Sequence, residues 1–247
     1  MTAGLFLIVP IKPLHLAKSR LLGAADRGAR RPTAHADLVT AVALDTVTAA
    51  RQAPGVAGVV VVTSDPTLTE AFAADGVEVL ADTPAAGLNA ALRHGDAQLR
   101  QRTATSRVGA LQADLPALRP TDLAAAISAA GDDRAFCPDR QGTGTTLLLA
   151  VPGQQLAPRF GPGSADAHAG SGAKTLLGGW DSLRCDVDTE ADLAVAMTLG
   201  VGPNTARRIS SSGARPPGVQ GPVRECSPQD RERHMATSAV DSERPDE

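Results

Sequence analysis

Apolar runs of two lengths alternate along the first half of the chain. Residues 4–11 form a continuous apolar run broken only by Pro10, too short for a helix and suited to a buried parallel strand. Residues 36–52 space Leu38, Val42, Leu44 and Val47 among alanines, which predicts a helix that stops before Pro54-Gly55. The β-branched run Val56-Ala-Gly-Val-Val-Val-Val-Thr63 predicts a strand buried on both faces, closed by Ser64-Asp65-Pro66. Residues 67–74 predict a short helix, 77–80 a short strand, and 87–93 the start of another helix. A further apolar run begins at Val108, reads as a buried strand, reaches Asp114 and is stopped by Pro116; Thr121 then caps a helix through Ile127. This alternation predicts an α/β fold with a mostly parallel, doubly wound central sheet.

The pattern then changes. Residues 135–149 show no helical period in their first half and end in an apolar strand at Leu147-Leu148-Leu149. Residues 159–168 form a glycine-rich loop in which Ser164 is placed to cap the segment that follows. A Gly-x-Gly-Ser turn entering a helix offers amides and a hydroxyl to a small anion. His168, a lone histidine on a polar helix, reads as a surface residue outside the catalytic set. Residues 171–177 are expected to close that helical region, 181–188 to be extended, and 190–199 to form the last helix, ending at Gly200. From Pro203 the composition shifts to Ser, Gly, Pro, Arg and Glu, so the folded domain is expected to span 1–204. Residues 205–247 read as a disordered tail unable to bury enough apolar surface.

Composition narrows the function classes. The 247 residues are 43% hydrophobic but only 2% aromatic, with one Trp and no Tyr, so the core is built from Ala, Val and Leu and little is left for stacking bases. A net charge of -3 likewise argues against a nucleic-acid partner. No apolar run approaches the length of a membrane span, which leaves no membrane partner in the reading. Three cysteines without metal-ligand spacing fit a reducing, cytoplasmic location.

Candidate chemistry sits where predicted strands end. Asp114 lies at the carboxyl end of its strand, where open α/β sheets bind ligands. It is either a metal ligand or a turn aspartate capping the next helix. Asp186 and Asp188 form an Asp-x-Asp in an extended segment, with both carboxylates on one face. Together the three acids could hold Mg²⁺, which takes one or two carboxylates plus substrate phosphates. Lys12, Lys18 and Arg20 follow the first strand and form a plausible triphosphate clamp, with no dinucleotide fingerprint or P-loop present. Gly87 and Asn89 stand at a helix entrance able to meet a nucleotide, although ordinary capping explains them equally well. Asp139, Arg140 and the glycines and threonines that follow bring a guanidinium, hydroxyls and close-approach backbone to one place, with Arg140 a candidate phosphate contact.

Four stretches together resemble the CofC/FbiD family of phosphoenolpyruvate or 2-phospho-L-lactate guanylyltransferases. They are Pro10-Ile-Lys-Pro with Ala17-Lys-Ser-Arg-Leu21, Ala113-Asp-Leu-Pro116, Asp139-Arg-Gln-Gly-Thr-Gly-Thr-Thr146, and Phe160-Gly-Pro-Gly-Ser164 with Cys185-Asp-Val-Asp188. The resemblance implies one Rossmann-like nucleotidyltransferase domain and a GTP-dependent transfer of GMP to phosphoenolpyruvate in coenzyme F-420 biosynthesis. It implies Mg²⁺ on Asp114, Asp186 and Asp188, phosphoenolpyruvate on Thr146, Gly161 and Ser164, and a nucleotide-facing loop with Lys12, Lys18 and Arg20. A downstream transferase that consumes the unstable product is the protein partner it implies. The Asp-Arg-Gln-Gly-Thr-Gly form resembles the actinobacterial branch and favours phosphoenolpyruvate over 2-phospho-L-lactate. The alternative from another class is a catalytically silent nucleotide-binding subunit. A molybdopterin or sugar-phosphate guanylyltransferase would carry a glycine-rich first loop, which Pro10-Ile-Lys-Pro is not.

Overall fold

The computed structural model describes residues 4–18, 21–24, 26, 28–83 and 85–211. Seven strands form one sheet in the order β3-β2-β1-β4-β6-β5-β7. These are β1 (Leu5–Pro10), β2 (Val56–Thr63), β3 (Glu78–Ala81), β4 (Arg107–Leu111), β5 (Ala135–Pro138), β6 (Thr145–Leu149) and β7 (Lys174–Thr175). β1 runs parallel to β2 and β4, β2 to β3, and β5 to β7, whereas β6 is antiparallel to β4 and β5. The sheet is therefore mostly parallel, as the alternation predicts.

The unbroken apolar runs of β1 and β2 follow from cover on both faces. Leu7, Val9, Val59 and Val61 pack with residues of α1 (Pro32–Gln52), α2 (Pro66–Ala74) and α4 (Pro120–Ala130), such as Val47, Phe72 and Leu123. Ile8, Val60 and Val62 face the other way, against Leu92 and Leu99 of α3 (Leu88–Arg102) and Ala165 of α5 (Ser164–Ala169). The outer side of α1 makes a third cluster, where Leu38 and Val42 meet Leu193 and Ala196 of α7 (Glu190–Leu199), Ile209 of α8 (Pro203–Ser211), and Cys185 and Val187. That cluster draws the Asp-x-Asp segment, distant in sequence, back over the first helix.

From β1 the chain winds outward through β2 and β3, and on the other side of β1 lies β4. The carboxyl ends of β1 and β4 thus flank the topological switch point, where this architecture leaves a crevice.

Several local expectations are corrected. α1 starts at Pro32 rather than 36, with proline in its first turn, where a missing N–H costs nothing. Thr121 is not a cap: α4 begins at Pro120, and no side chain caps it. Residues 135–138 form β5, paired to β6 in a hairpin that the mixed composition concealed. Residues 171–177 contain β7 instead of a helix end, and Asp181–Arg184 is a short helix, α6, so the extended segment begins only at Cys185.

The domain boundary also moves, since α8 carries regular structure past 204 to Ser211; the rest of the predicted tail lies outside the described residues. The cause is a buried acid on α1. The Asp45 carboxylate accepts from Asn204 N at 3.0 Å, Asn204 Nδ2 at 2.9 Å and Thr205 N at 2.7 Å, serving orphan amides in the first turn of α8. Asp45→Ala is expected to lower unfolding free energy by about 1–3 kcal/mol, because it strands these donors. Urea titration followed by circular dichroism measures this, and an unchanged midpoint would remove Asp45 as the anchor of α8.

Candidate active site

The segment after β1 is held by its neighbours rather than by regular structure. Ile11 N donates to Val62 O at 2.9 Å and Leu14 N to Asp65 Oδ2 at 2.8 Å, while the other oxygen of Asp65 caps α2 through Thr67 N and Leu68 N. His35 Nε2 lies 2.8 Å from Ala17 O. The chain then passes through Lys18 at φ 51°, in the left-handed region that β-carbon-bearing residues rarely occupy. From there the Lys18 ammonium makes ion pairs with both Asp114 Oδ2 and Asp188 Oδ1. Burial works against its charge, but the two carboxylates outweigh burial and hold the ammonium well above its ordinary pKa. Lys12 is exposed on the rim of the same cleft, and Arg20 lies outside the described residues.

Asp114 follows β4 by three residues. Its turn is tied to α1, since Thr46 Oγ1 donates to Ala113 O at 3.1 Å and accepts from Leu115 N at 3.0 Å. It is tied to the far end of the chain as well, because Val187 N donates to Asp114 O at 2.9 Å. Cys185 and Val187 are buried, so Asp186 and Asp188 alternate to the other side, as an extended Asp-x-Asp requires. Asp114 and Asp188 share one ammonium, which puts their oxygens within two hydrogen-bond lengths of each other. Asp114 Oδ1 and Asp186 Oδ1 are buried without any partner. Burial, together with the charges of Asp114, Asp139 and Asp188, pushes the Asp186 carboxyl up to about 7, against the lowering pull of Lys18.

Two buried carboxylate oxygens with nothing to accept from are what a divalent cation would use. Among the described residues no three His, Cys, Asp or Glu side chains already stand in a metal-ligating group. That fits an ion which takes one or two carboxylates and completes its shell with substrate phosphates and water. Lys12, Lys18, Gln112, Asp114 and Asp188 line a cleft of about 320 Å³, walled on the α1 side by Val39 and Val42.

The β5–β6 hairpin stands next to the Asp114 turn, joined to it at Gln112. Asp139 Oδ1 accepts from Thr143 N at 2.9 Å and Oδ2 from Gly144 N at 2.8 Å, closing the turn; a Cβ on Gly144 would sit 2.3 Å from Asp139 Oδ2. Arg184 braces the turn through Asp139 O at 3.0 Å. The Arg140 guanidinium pairs with Asp192 at 2.9 Å, so its partner is the first turn of α7. Pro138 pairs with Thr145 and Cys137 with Leu147, which leaves Thr146 as the additional residue of a bulge. Thr146 Oγ1 lies 3.4 Å from Cys137 O, while Thr146 O accepts from Gln112 N at 2.9 Å beside the Asp114 turn.

The glycine-rich loop packs against this hairpin. Gly161 (φ 137°) and Gly163 (φ 71°) take conformations that a side chain resists, and Ser164 opens α5 without capping it. Instead the Ser164 hydroxyl, almost fully buried, lies 3.2 Å from Thr145 Oγ1. The Ser164 and Ala165 amides are already bonded to Gly161 O and Thr143 O, so the pocket rests on hydroxyls more than the glycine pattern suggests. Gly87 is the N-cap of α3, with no side-chain cap and open space about its Cα. Asn89 does something the sequence did not disclose: its Nδ2 donates to Phe160 O and its Oδ1 accepts from Phe160 N, both at 2.8 Å. This clamp commits both ends of the side-chain amide to the glycine loop, which leaves only backbone N–H groups at this helix entrance for a nucleotide. His168 is fully buried rather than superficial, bonded to Thr145 and to the Arg159 amide.

A family profile described as the MobA-like NTP transferase domain matches residues 24–181, beginning just beyond the first loop. A phosphoenolpyruvate guanylyltransferase of Salinispora arenicola is 51% identical over 83% of this chain and 94% of its own length. One from Streptomyces coelicolor is 52% identical over 81% and 93%. Among solved structures, a 4-diphosphocytidyl-2C-methyl-D-erythritol synthase superposes with a TM-score of 0.55 at 16% identity, covering 80% of this chain and 99% of that one. A Mycobacterium tuberculosis protein in complex with manganese gives 0.50 at 20% identity, covering 80% and 100%. These likenesses establish the fold. No helix among the described residues is long and apolar enough to cross a membrane.

The raised Asp186 carboxyl has a consequence for stability. The folded chain keeps a proton that the unfolded chain releases above its ordinary value of 3.8, so stability falls as pH climbs through that range to about 7, then levels. In chelator-treated protein, urea unfolding at pH about 5 and about 8 should show this loss, and Asp186→Asn should flatten it. An equal pH slope in both proteins would contradict the burial of that charge among the other acids.

Proposed function

The chain belongs to the MobA-like NTP transferase domain family, within its phosphoenolpyruvate guanylyltransferases, and on that premise we propose that it transfers GMP from GTP to phosphoenolpyruvate. The products are enolpyruvoyl-2-diphospho-5'-guanosine and diphosphate, and the biosynthetic destination is coenzyme F-420. The observation that carries this reading is the convergence of Asp114, Asp188 and Lys18 at the switch point of a nucleotidyltransferase sheet.

An oxygen of the acceptor phosphate attacks the α-phosphorus of GTP in line, and the bond from that phosphorus to the bridging oxygen of the diphosphate breaks. A phosphate dianion is nucleophilic at neutral pH, so no side chain must remove a proton. The barrier comes from bringing two polyanions together: unit charges ~4 Å apart interact by on the order of 4 kcal/mol at an effective dielectric near 20. Lys12 and Lys18, on the cleft wall, oppose that repulsion on the nucleotide side. Mg²⁺ held by one or two of Asp114, Asp186 and Asp188, of which Asp114 and Asp186 offer unpartnered buried oxygens, would supply the remaining charge neutralisation. On the acceptor side, Thr146, Gly161 and Ser164 receive the phosphate and carboxylate of phosphoenolpyruvate, and the bulge and the Asn89 clamp keep that side in place. GMP passes directly from one substrate to the other, so both must be seated before transfer.

Asp114→Asn keeps the size and the turn but removes a charge, and should lower turnover about a hundredfold or more with the circular dichroism spectrum unchanged. Near-normal turnover by that variant would overturn the role given to Asp114. Mass analysis of products from GTP with equimolar phosphoenolpyruvate and 2-phospho-L-lactate should show the enolpyruvoyl adduct dominating. A dominant lactyl adduct would reassign the acceptor, and no diphosphate release at all would favour a silent nucleotide-binding subunit.

A further inference from the structure

A buried histidine faces the acceptor side without contacting the cleft. His168 is fully buried, and the Phe160 ring stands edge-on to it at 5.1 Å. Its Nε2 accepts from Arg159 N at 3.0 Å, and its Nδ1 lies 2.9 Å from Thr145 Oγ1. An amide N–H can only donate, so Nε2 must be unprotonated. Burial, reinforced by the nearby Arg134 and Arg159 charges, brings the imidazole down to about 4, so it is neutral near pH 7. A neutral ring with a bare Nε2 carries its proton on Nδ1 and therefore donates to Thr145.

The consequence lies in counting protons. His168 Nδ1, Thr145 Oγ1 and Ser164 Oγ form a chain with three protons and two internal hydrogen bonds, at 2.9 and 3.2 Å. One hydroxyl proton is left over, whichever way the Thr145–Ser164 bond runs. With the other tautomer, Thr145 would donate to the ring, Ser164 to Thr145, and only lone pairs would remain. We propose that His168 is a positioning residue which, with its tautomer set by the Arg159 amide, turns the Thr145–Ser164 hydroxyl pair into a hydrogen-bond donor for an anionic oxygen of the phosphorylated acid acceptor. This rests on the reading that Ser164 meets the acceptor, and it adds Thr145 and His168 to the selectivity for an anion there.

Thr145→Val keeps shape and removes the hydroxyl; Thr145→Ser keeps the hydroxyl. Thr145→Val should raise KM for the acceptor on the order of tenfold or more, with KM for GTP and kcat nearly unchanged, and Thr145→Ser should restore it. Ser164→Ala should behave like Thr145→Val, and the double variant should cost little more than either alone. If Ser164→Ala raises the acceptor KM but Thr145→Val does not, the relay is wrong and the acceptor site stands. If Ser164→Ala changes nothing, the placement of the acceptor fails and the proposal fails with it. An independent readout uses the unaltered protein: long-range ¹H–¹⁵N correlation of the imidazole should show His168 protonated on Nδ1 and bare on Nε2. The opposite tautomer overturns the proposal regardless of how any variant folds.

Discussion

One ammonium holds together carboxylates that enter from two distant parts of the chain. Lys18 bridges Asp114 and Asp188, and the Val187 amide bonds to the Asp114 carbonyl beside it. Acids gathered this closely repel one another, and burial, joined by the charges of Asp114, Asp139 and Asp188, pushes the Asp186 carboxyl up to about 7. The Lys18 ammonium offsets that repulsion, while the buried Cys185 and Val187 hold the segment in place. Lys18 is held there despite a left-handed backbone that costs a β-carbon-bearing residue roughly 1–2 kcal/mol.

The architecture serves that closure. α1 is buried on two sides, one facing the sheet and the other facing α7, α8 and the Cys185–Val187 stretch, so the first helix is the spacer between the two acidic segments. The anchor Asp65 belongs to β2's exit yet fixes the loop after β1, and Thr46 of α1 fixes the Asp114 turn. The loop after β1 is thus braced from β2's exit, and α1 both walls the cleft and braces the Asp114 turn. The acceptor side follows the same logic, with Asn89 clamping the glycine loop and Arg184 the hairpin.

What could be read from the sequence was whatever periodicity or residue type announces locally. The β1 and β2 runs, the α7 limits and the Asp-x-Asp alternation were legible, because burial on both faces and a period of two leave direct traces. β5 was not, since Pro138 and Asp139 cut its apolar run to three residues; nor was α8, whose first turn is anchored by Asp45, more than 150 residues earlier. His168 looked like a surface residue because its neighbours in sequence are small or polar, while its partners Thr145, Phe136 and Phe160 arrive from other elements. Asp65 was legible only as part of the stop after β2; its cap on α2 and its bond from Leu14 N depend on the fold.

The central claim is that the acids form one cation site completed by the triphosphate, with Lys18 as their counter-ion otherwise. Water-proton relaxation by Mn²⁺ in the presence of GTP measures the ternary complex directly. The account predicts a strong enhancement for the unaltered protein that is largely lost in Asp186→Asn, although this variant still folds. Equal enhancement in the two proteins would contradict it.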